Sequence, residues 1–273
     1  MDRTMTEIEQ IASRDNRRLV HARKVRDGKI DGQIFIEGKR LVGEALRSGT
    51  RGLTCFVGDS LYDSSLVDEV RSAGIETFRV GDGIFKSLAD TVASQGVVLT
   101  AERPETGLAV LTAASQAARL PLVIFLHEIG NPSNLGAIIR TAEAAGVAGV
   151  IVSERSADVF SPKSIRASMG SAFRVPIWVD ARLDDIVAWA ASQALRTTAA
   201  VLSGERNYTD VDWSVPRLMF FGSEAHGLSG NVTNLVEETI TISMARRVES
   251  LNLAASAAII MFEAKRQTTD RLI

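Results

Sequence analysis

The chain has 273 residues, 45% of them hydrophobic and 23% charged, which excludes fibrous, collagen-like and largely disordered classes and, at roughly 100 to 200 residues per domain, predicts two domains. The single cysteine, Cys55, excludes an internal disulfide and a thiolate metal cluster, and with only three histidines no metal is expected. The net charge of -2 means that attraction to a polyanion has to come from local patches rather than from a global field.

The first such patch lies near the start. Between Arg14 and Lys29 stand Arg14, Arg17, Arg18, Arg23, Lys24, Arg26 and Lys29 against Asp15 and Asp27. It reads either as the solvated face of a helix or as a phosphate-facing surface. Strand-like runs at 33–37, 53–57, 76–80 and 96–100 then alternate with helical runs at 39–47, 65–72 and 85–90. That interleaving predicts a small α/β layer domain over 1–105. The polar Arg103-Pro104-Glu105-Thr106-Gly107 is the expected hinge.

The second domain is expected over 106–273. It begins with a helix at 108–119 and continues with the apolar run 121–126, a loop at 130–136, a helix at 137–145 closed by Gly146, and the apolar strand 147–152. Continuous apolar runs of this kind belong to strands buried on both faces of a parallel sheet. Further strands at 175–179, 198–202, 218–221 and 239–243, with helices at 184–195 and 251–265, extend the pattern. A crevice beyond the carboxyl ends of the strands is where such a sheet holds its ligand. The longest apolar stretch, 253–262, is about half the ~20 residues of a membrane helix, and no apolar signal core opens the chain, so a cytoplasmic protein with no membrane span is expected.

Familiar nucleotide and hydrolase signatures fail on spacing. Gly81-Asp82-Gly83 lacks the third glycine of a dinucleotide loop, Gly38-Lys39-Arg40 has arginine where a phosphate loop needs serine or threonine, and neither GxSxG nor HExxH occurs. Three polar loops stand instead at predicted strand ends. In the first, Asn134 is placed to cap the following helix, Gly136 permits close approach, and Arg140 comes one turn in, near the positive helix end, where a guanidinium invites an anion. In the second, Gly222 and Gly227 flank Glu224 and offer bare backbone donors beside one fixed anion, while His226 reads as a surface histidine. The third runs from Ile242 through Met244, Arg246, Arg247 and Glu249 to Ser250, Leu251 and Asn252, and either Ser250 or Asn252 is placed to cap the final helix.

Together these loops closely resemble, in order, the three signature motifs of the SpoU (TrmH-like) family of RNA 2′-O-ribose methyltransferases in the SPOUT superfamily. Asn134 to Gly146 resembles motif 1, Phe221 to Leu228 motif 2, and Ile242 to Met244 with Ser250 to Asn252 motif 3. The segment from Ala167 to Pro176 is similar to a family stretch between the first two motifs. Phe35 to Val42, Leu88 to Thr91 and Gln95 to Val97 resemble the family's substrate-binding domain.

The resemblance implies an α/β chain with an L30e-like N-terminal domain and a C-terminal SPOUT domain, whose parallel sheet carries a deep trefoil knot and which dimerises to form its active sites. It implies S-adenosylmethionine as cofactor, held by Gly222, Ile242, Met244 and Leu251. Arg140, Asn134, Glu224, Ser250 and Asn252 would line the reaction centre, and Arg17, Arg18, Arg23, Lys24, Lys39 and Arg40 would contact RNA. Methyl transfer to a ribose hydroxyl needs positioning and relief of developing negative charge but no metal. An arginine stays protonated, so Arg140 is expected to hold a phosphate or the developing alkoxide, although the family's proposals include it as the base. Ribosomal RNA is the first expectation for the substrate, with a housekeeping or antibiotic-resistance role left open. Transfer RNA, or an inactive RNA-binding scaffold, are the alternatives. The chain departs from the family at Asn131 and Ser243, where Asp and Pro are common, and at His127, where an acidic residue is frequent.

Overall fold

Residues 8–59, 61, 64–245 and 249–270 are described by a computed structural model of the chain. They pack as two units.

The first unit takes the chain up to Pro104 together with Phe160–Phe173. Its sheet has the order β1 (Gln10–Ile11), β4 (Glu76–Val80), β3 (Gly52–Gly58), β5 (Val97–Glu102), β2 (Gln33–Glu37). The β1–β4 and β4–β3 pairs are parallel, and β5 runs antiparallel to both β3 and β2. Helices α1 (Arg17–Arg26), α2 (Lys39–Arg47), α3 (Ser64–Ser72) and α4 (Asp82–Leu88) connect them.

The basic segment is α1. It buries Leu19, Ala22 and Val25 in a core with Phe35, Phe56 and Phe78, and that three-residue spacing is the apolar stripe that makes such a charged sequence helical. Asn16 caps it by accepting from the Arg18 amide at 2.9 Å. Buried Glu37 accepts from the amides of Asp90 and Thr91 at 2.8 and 3.1 Å and from the Thr91 hydroxyl at 2.6 Å, pinning the loop after α4. Burial pushes the Cys55 thiol up to about 12, so it stays an inert core group.

Sequence patterning runs the second domain unbroken from 106. Within it, Phe160–Phe173, which carries α5 (Pro162–Ser168), packs instead with the first unit. Arg166 pairs with Asp90 at 2.6 Å, and the Arg103 guanidinium lies 4.7 Å from the centre of the Phe160 ring.

The second unit holds a seven-stranded sheet, parallel throughout: β10 (Arg206–Asn207), β12 (Glu238–Thr241), β9 (Arg196–Ala200), β11 (Arg217–Phe221), β6 (Leu120–Leu126), β7 (Val147–Ser153), β8 (Ile177–Ala181). Its helices include α6 (Leu108–Ala117), α7 (Pro132–Ala145), α8 (Leu183–Ser192), the short α9 (Gly230–Thr233) and α10 (Leu253–Asp270). The central strands are apolar on both faces, and Phe125 meets Phe220 edge-on at 4.9 Å between ring centres.

Boundaries shift by a few residues from those expected: β8 is 177–181 rather than 175–179, and α10 starts at Leu253 rather than 251. The two-residue strands β1 and β10 and the one-turn α9 are too short to carry a periodicity. Strand β12 lies between β9 and β10, so the connection 201–205 has to cross it. A side chain at Gly204 would fall on the backbone of Ile240, and Thr241 Oγ1 donates to the Leu202 carbonyl at 2.9 Å.

Candidate active site

Because the strands are parallel, the segments following β6, β9, β11 and β12 emerge at one end of the sheet, the place where open α/β sheets hold ligands. The first motif departs from its expected form. Helix α7 begins at Pro132, and its cap is Asn131, which accepts from the Ser133 amide at 2.9 Å. Proline at the first helical position costs no hydrogen bond there, so the helix starts five residues before the predicted 137. Asn134 is therefore not the cap but a first-turn residue with its amide available. Arg140 lies past the second turn rather than one turn in, so the helix dipole gives it little help.

That available amide links the motifs. Asn134 Nδ2 donates to Glu224 Oε1 at 2.7 Å, and Asn252 Nδ2 donates to Asn134 Oδ1 at 3.3 Å. Asn252 Oδ1 in turn accepts from the amides of Ala254 and Ala255 at 2.9 and 3.3 Å, which caps α10 and fixes which way its own amide points. Asn252, not Ser250, is the cap. One residue from each motif thus joins a single chain of hydrogen bonds ending on a carboxylate.

Beside this chain opens a cleft of about 630 Å³. Gly222, Ile242, Met244 and Leu251 line it, with Glu224, Ser250 and Asn252. Gly222 is required by close approach: a Cβ there would fall on the backbone of Gly227 and Leu228, where the 223–227 turn folds back. The Gly227 amide closes that turn onto the Ser223 carbonyl at 2.8 Å, and Gly227 takes a φ of 64°. The lining also includes Ala200, Val201, Leu202, Ser256 and Ile260, which the motifs do not contain. Residues 200–202 sit at the carboxyl end of β9, so the strand-end rule carried a signal for them, whereas Ser256 and Ile260 are ordinary helix residues in sequence.

Arg140 is exposed and does not line the cleft, and among the described residues its side chain makes no hydrogen bond or ion pair. Arg246 and Arg247 of the third loop lie outside the described residues.

The basic residues of the first unit divide. Arg18 pairs with Glu76 at 3.0 Å and lies 4.4 Å from the Phe78 ring centre, and that pairing raises its pKa. Arg23 donates to Ser87 Oγ at 3.3 Å and to the Arg14 carbonyl at 2.8 Å. Arg26 donates to the carbonyls of Ser87, Leu88 and Ala89. These three hold α1 in place, so the Arg18 and Arg23 side chains expected to meet RNA also have partners within the chain. Arg17, Lys24 and Arg40 are exposed and, among the described residues, their side chains make no hydrogen bond or ion pair, while Lys39 is half-buried, its amide donating to Gln95 Oε1 at 2.9 Å. Among the described residues no cluster of three or more His, Cys, Asp or Glu is placed to hold a metal ion, and no helix is long and apolar enough to cross a membrane.

The SpoU rRNA methylase family matches residues 121–262, and the RNA 2′-O ribose methyltransferase substrate-binding domain matches residues 35–107. An uncharacterized tRNA/rRNA methyltransferase of Synechocystis is 30% identical over 270 residues, covering 96% of this chain and 95% of its own length. The Bacillus subtilis 23S rRNA (guanosine(2553)-2′-O)-methyltransferase RlmP is 26% identical over 93% of this chain and 98% of its own. The crystal structure of an AdoMet-bound rRNA methyltransferase from Sinorhizobium meliloti superposes with a TM-score of 0.82 at 28% identity, covering 95% of this chain and 98% of that one. With three motif loops gathered around one cleft at the end of a parallel sheet, the chain belongs to the SpoU rRNA methylase family and is an S-adenosylmethionine-dependent RNA methyltransferase.

Proposed function

We propose that this protein methylates the 2′-hydroxyl of a ribose in structured ribosomal RNA, as a homodimer whose knotted C-terminal domains carry the chemistry. The observation that carries this reading is the Asn252–Asn134–Glu224 hydrogen-bond chain at the rim of the cleft. It brings a fixed carboxylate and two amides to the place where a hydroxyl has to be oriented and relieved of its proton.

The cleft fits the cofactor. Its volume of about 630 Å³ lies inside the ~300–1,000 Å³ usual for such ligands, and Gly222 leaves bare backbone where a side chain would block it. Ile242, Met244 and Leu251 supply apolar walls for a purine and backbone groups for its edge. S-adenosylmethionine supplies a methyl group on a sulfonium, whose leaving thioether is neutral.

The remaining work falls to the chain's own residues. Glu224 Oε1 is occupied by Asn134, so its orientation is set before substrate arrives. Oε2 has no partner among the described residues and is free to accept the ribose hydroxyl and hold its proton. Ser250 and Asn252 add polar groups on the same wall. The fork of the Arg140 guanidinium suits a phosphate or the developing alkoxide. Its exposure on α7, outside the lining of its own cleft, supports a dimer in which it serves the partner's site. Arg17, Lys24 and Arg40 supply the cationic contacts to the RNA backbone.

The test is methylation of unmodified ribosomal and transfer RNA with labelled cofactor, followed by mapping of 2′-O-methyl positions and sedimentation of the free protein. One modified ribose in ribosomal RNA and a dimer are expected. Modification confined to transfer RNA would move the substrate assignment, and cofactor binding without any turnover would leave the scaffold reading.

A further inference from the structure

A second cavity, of about 320 Å³, lies on the other side of the 223–227 turn and shares Ser223, His226 and Gly227 with the cofactor cleft. His127 is one of its walls. The His127 amide donates to the Phe221 carbonyl at 2.8 Å, extending the β6–β11 ladder past Leu126 and fixing this residue beside the start of motif 2. Next to it the backbone is forced: Glu128 and Arg155 take φ values of 53° and 64°, and their side chains pair at 2.5 Å. Ser153 Oγ accepts from the Glu128 amide at 2.8 Å and Ser156 Oγ from the Ile129 amide at 3.1 Å, which holds the loop in that form. Left-handed backbone at two non-glycine residues is a cost that a fold sustains where it positions something.

What it positions is an imidazole that makes no side-chain hydrogen bond among the described residues. Nδ1 is buried without a hydrogen-bond partner, and Nε2 stands 4.0 Å from Glu128 Oε1, beyond hydrogen-bond reach. Burial lowers the His127 pKa, so the ring is neutral at physiological pH and carries one donor and one acceptor. A half-buried polar ring left idle on a cavity wall asks for a ligand that completes it.

We propose that this second cavity receives a nucleobase of the RNA substrate, unstacked from its neighbours and read by His127, with Arg155 at the rim toward the phosphate backbone. The proposal rests on the function proposed above and deepens it by assigning where base identity is sensed. The chemistry matches: splayed single-stranded bases are recognised by stacking on side chains such as histidine and by hydrogen bonds to donor and acceptor edges. Arg155 has a side chain 73% exposed, open to a phosphate. Only the short 223–227 turn separates the cavity from the methyl-transfer cleft, so a base in one is compatible with a ribose at the other.

The experiment uses the full-length protein. First, the ring resonances of His127 are followed by NMR while each of the four nucleoside 5′-monophosphates is added as probe. Second, the variants His127→Phe, which keeps a ring and removes both nitrogens, His127→Asn, which keeps a donor and an acceptor, and the rim change Arg155→Ala are assayed on RNAs carrying each base at the methylated nucleotide and its two neighbours.

The expected result is a saturable His127 shift that favours one base. In His127→Phe, discrimination at one of the three nucleotides should fall about tenfold or more, with cofactor affinity changed less than about threefold, and His127→Asn should recover part of the preference. Arg155→Ala should raise KM without altering base preference. Wild-type base preference in His127→Phe, or nucleotide titrations that leave His127 unmoved, overturns the proposal. If His127→Phe fails to fold, His127→Ala with wild-type base preference overturns it equally. A wild-type protein that methylates no RNA is the separate failure of the function above.

Discussion

The amide of Asn134 donates to Glu224 Oε1 at 2.7 Å, across 90 residues of sequence. This bond fixes one carboxylate oxygen and leaves the other to face substrate. Glu224→Gln keeps the shape and loses the charge, and Asn134→Ala releases the carboxylate. Each should lower kcat by about 10²-fold or more, the scale of removing one preorganised polar group. Cofactor affinity by calorimetry should stay within about threefold, because neither side chain is needed for the apolar part of the cleft. Near-wild-type kcat in both variants would remove Glu224 from the mechanism.

Arg140 gives the opposite signature to a structural residue. It is exposed and unpaired among the described residues, so Arg140→Ala should shift the melting temperature by no more than about 2 °C, as an ordinary surface change does. Turnover should nevertheless be lost, and Arg140→Lys should recover only part of it, because a point charge lacks the fork. Mixing Arg140→Ala with a second inactive variant, such as Glu224→Gln, tests the dimer: restored activity in the mixture is expected if the two residues act across subunits.

Gly222→Ala should damage folding and cofactor binding together. Its Cβ would fall on the backbone of Gly227 and Leu228, and overpacking of that kind typically costs about 1–3 kcal/mol. A drop of several degrees in melting temperature with loss of S-adenosylmethionine binding is expected, and unchanged binding would refute the cradle.

Removing the basic residues of α1 should have two distinct outcomes. Arg17→Gln with Lys24→Gln should leave the fold intact and lower the slope of log affinity for RNA against log salt by about 0.7 to 0.9 for each phosphate no longer neutralised. Arg26→Gln should instead lower the melting temperature, since Arg26 holds three carbonyls at the end of α4. Salt titrations and thermal melts separate the two, and an unchanged salt slope in the double variant would return α1 to a purely structural role.

The His127 environment predicts a pH effect on stability. Burial depresses its pKa most, Glu128 opposes that and Arg155 adds to it. With the folded value below the ordinary 6.5, the unfolded chain takes up the proton first. This contribution is therefore fully present above pH ~6.5 and is lost as pH falls through the folded value. Thermal melts from pH 7.5 to 5 should decline less steeply in His127→Asn than in the wild type, and parallel curves would refute the linkage.

Sequence alone determined the two-domain α/β architecture and the parallel sheet of the second half. Runs such as 121–126 and 147–152 are apolar at every position, and only a strand covered on both faces buries such a run. The ordered motifs likewise singled out Gly222, Glu224, Leu251 and Asn252, which come together on the wall of one cleft. Only the tertiary structure decided the rest. Asn131 and Asn134 are both good caps in sequence, and what separates them is a helix starting at Pro132 and a carboxylate 90 residues away that claims the second amide. The partners of Arg18 and Arg23, Glu76 and Ser87, come from other elements. The insertion of β12 between β9 and β10, and the packing of Phe160–Phe173 with the first unit, leave no local trace. Periodicity records which face of an element is buried, because that is set by side chains a few residues apart. It does not record which distant element does the burying, because that is chosen by the packing of the whole chain.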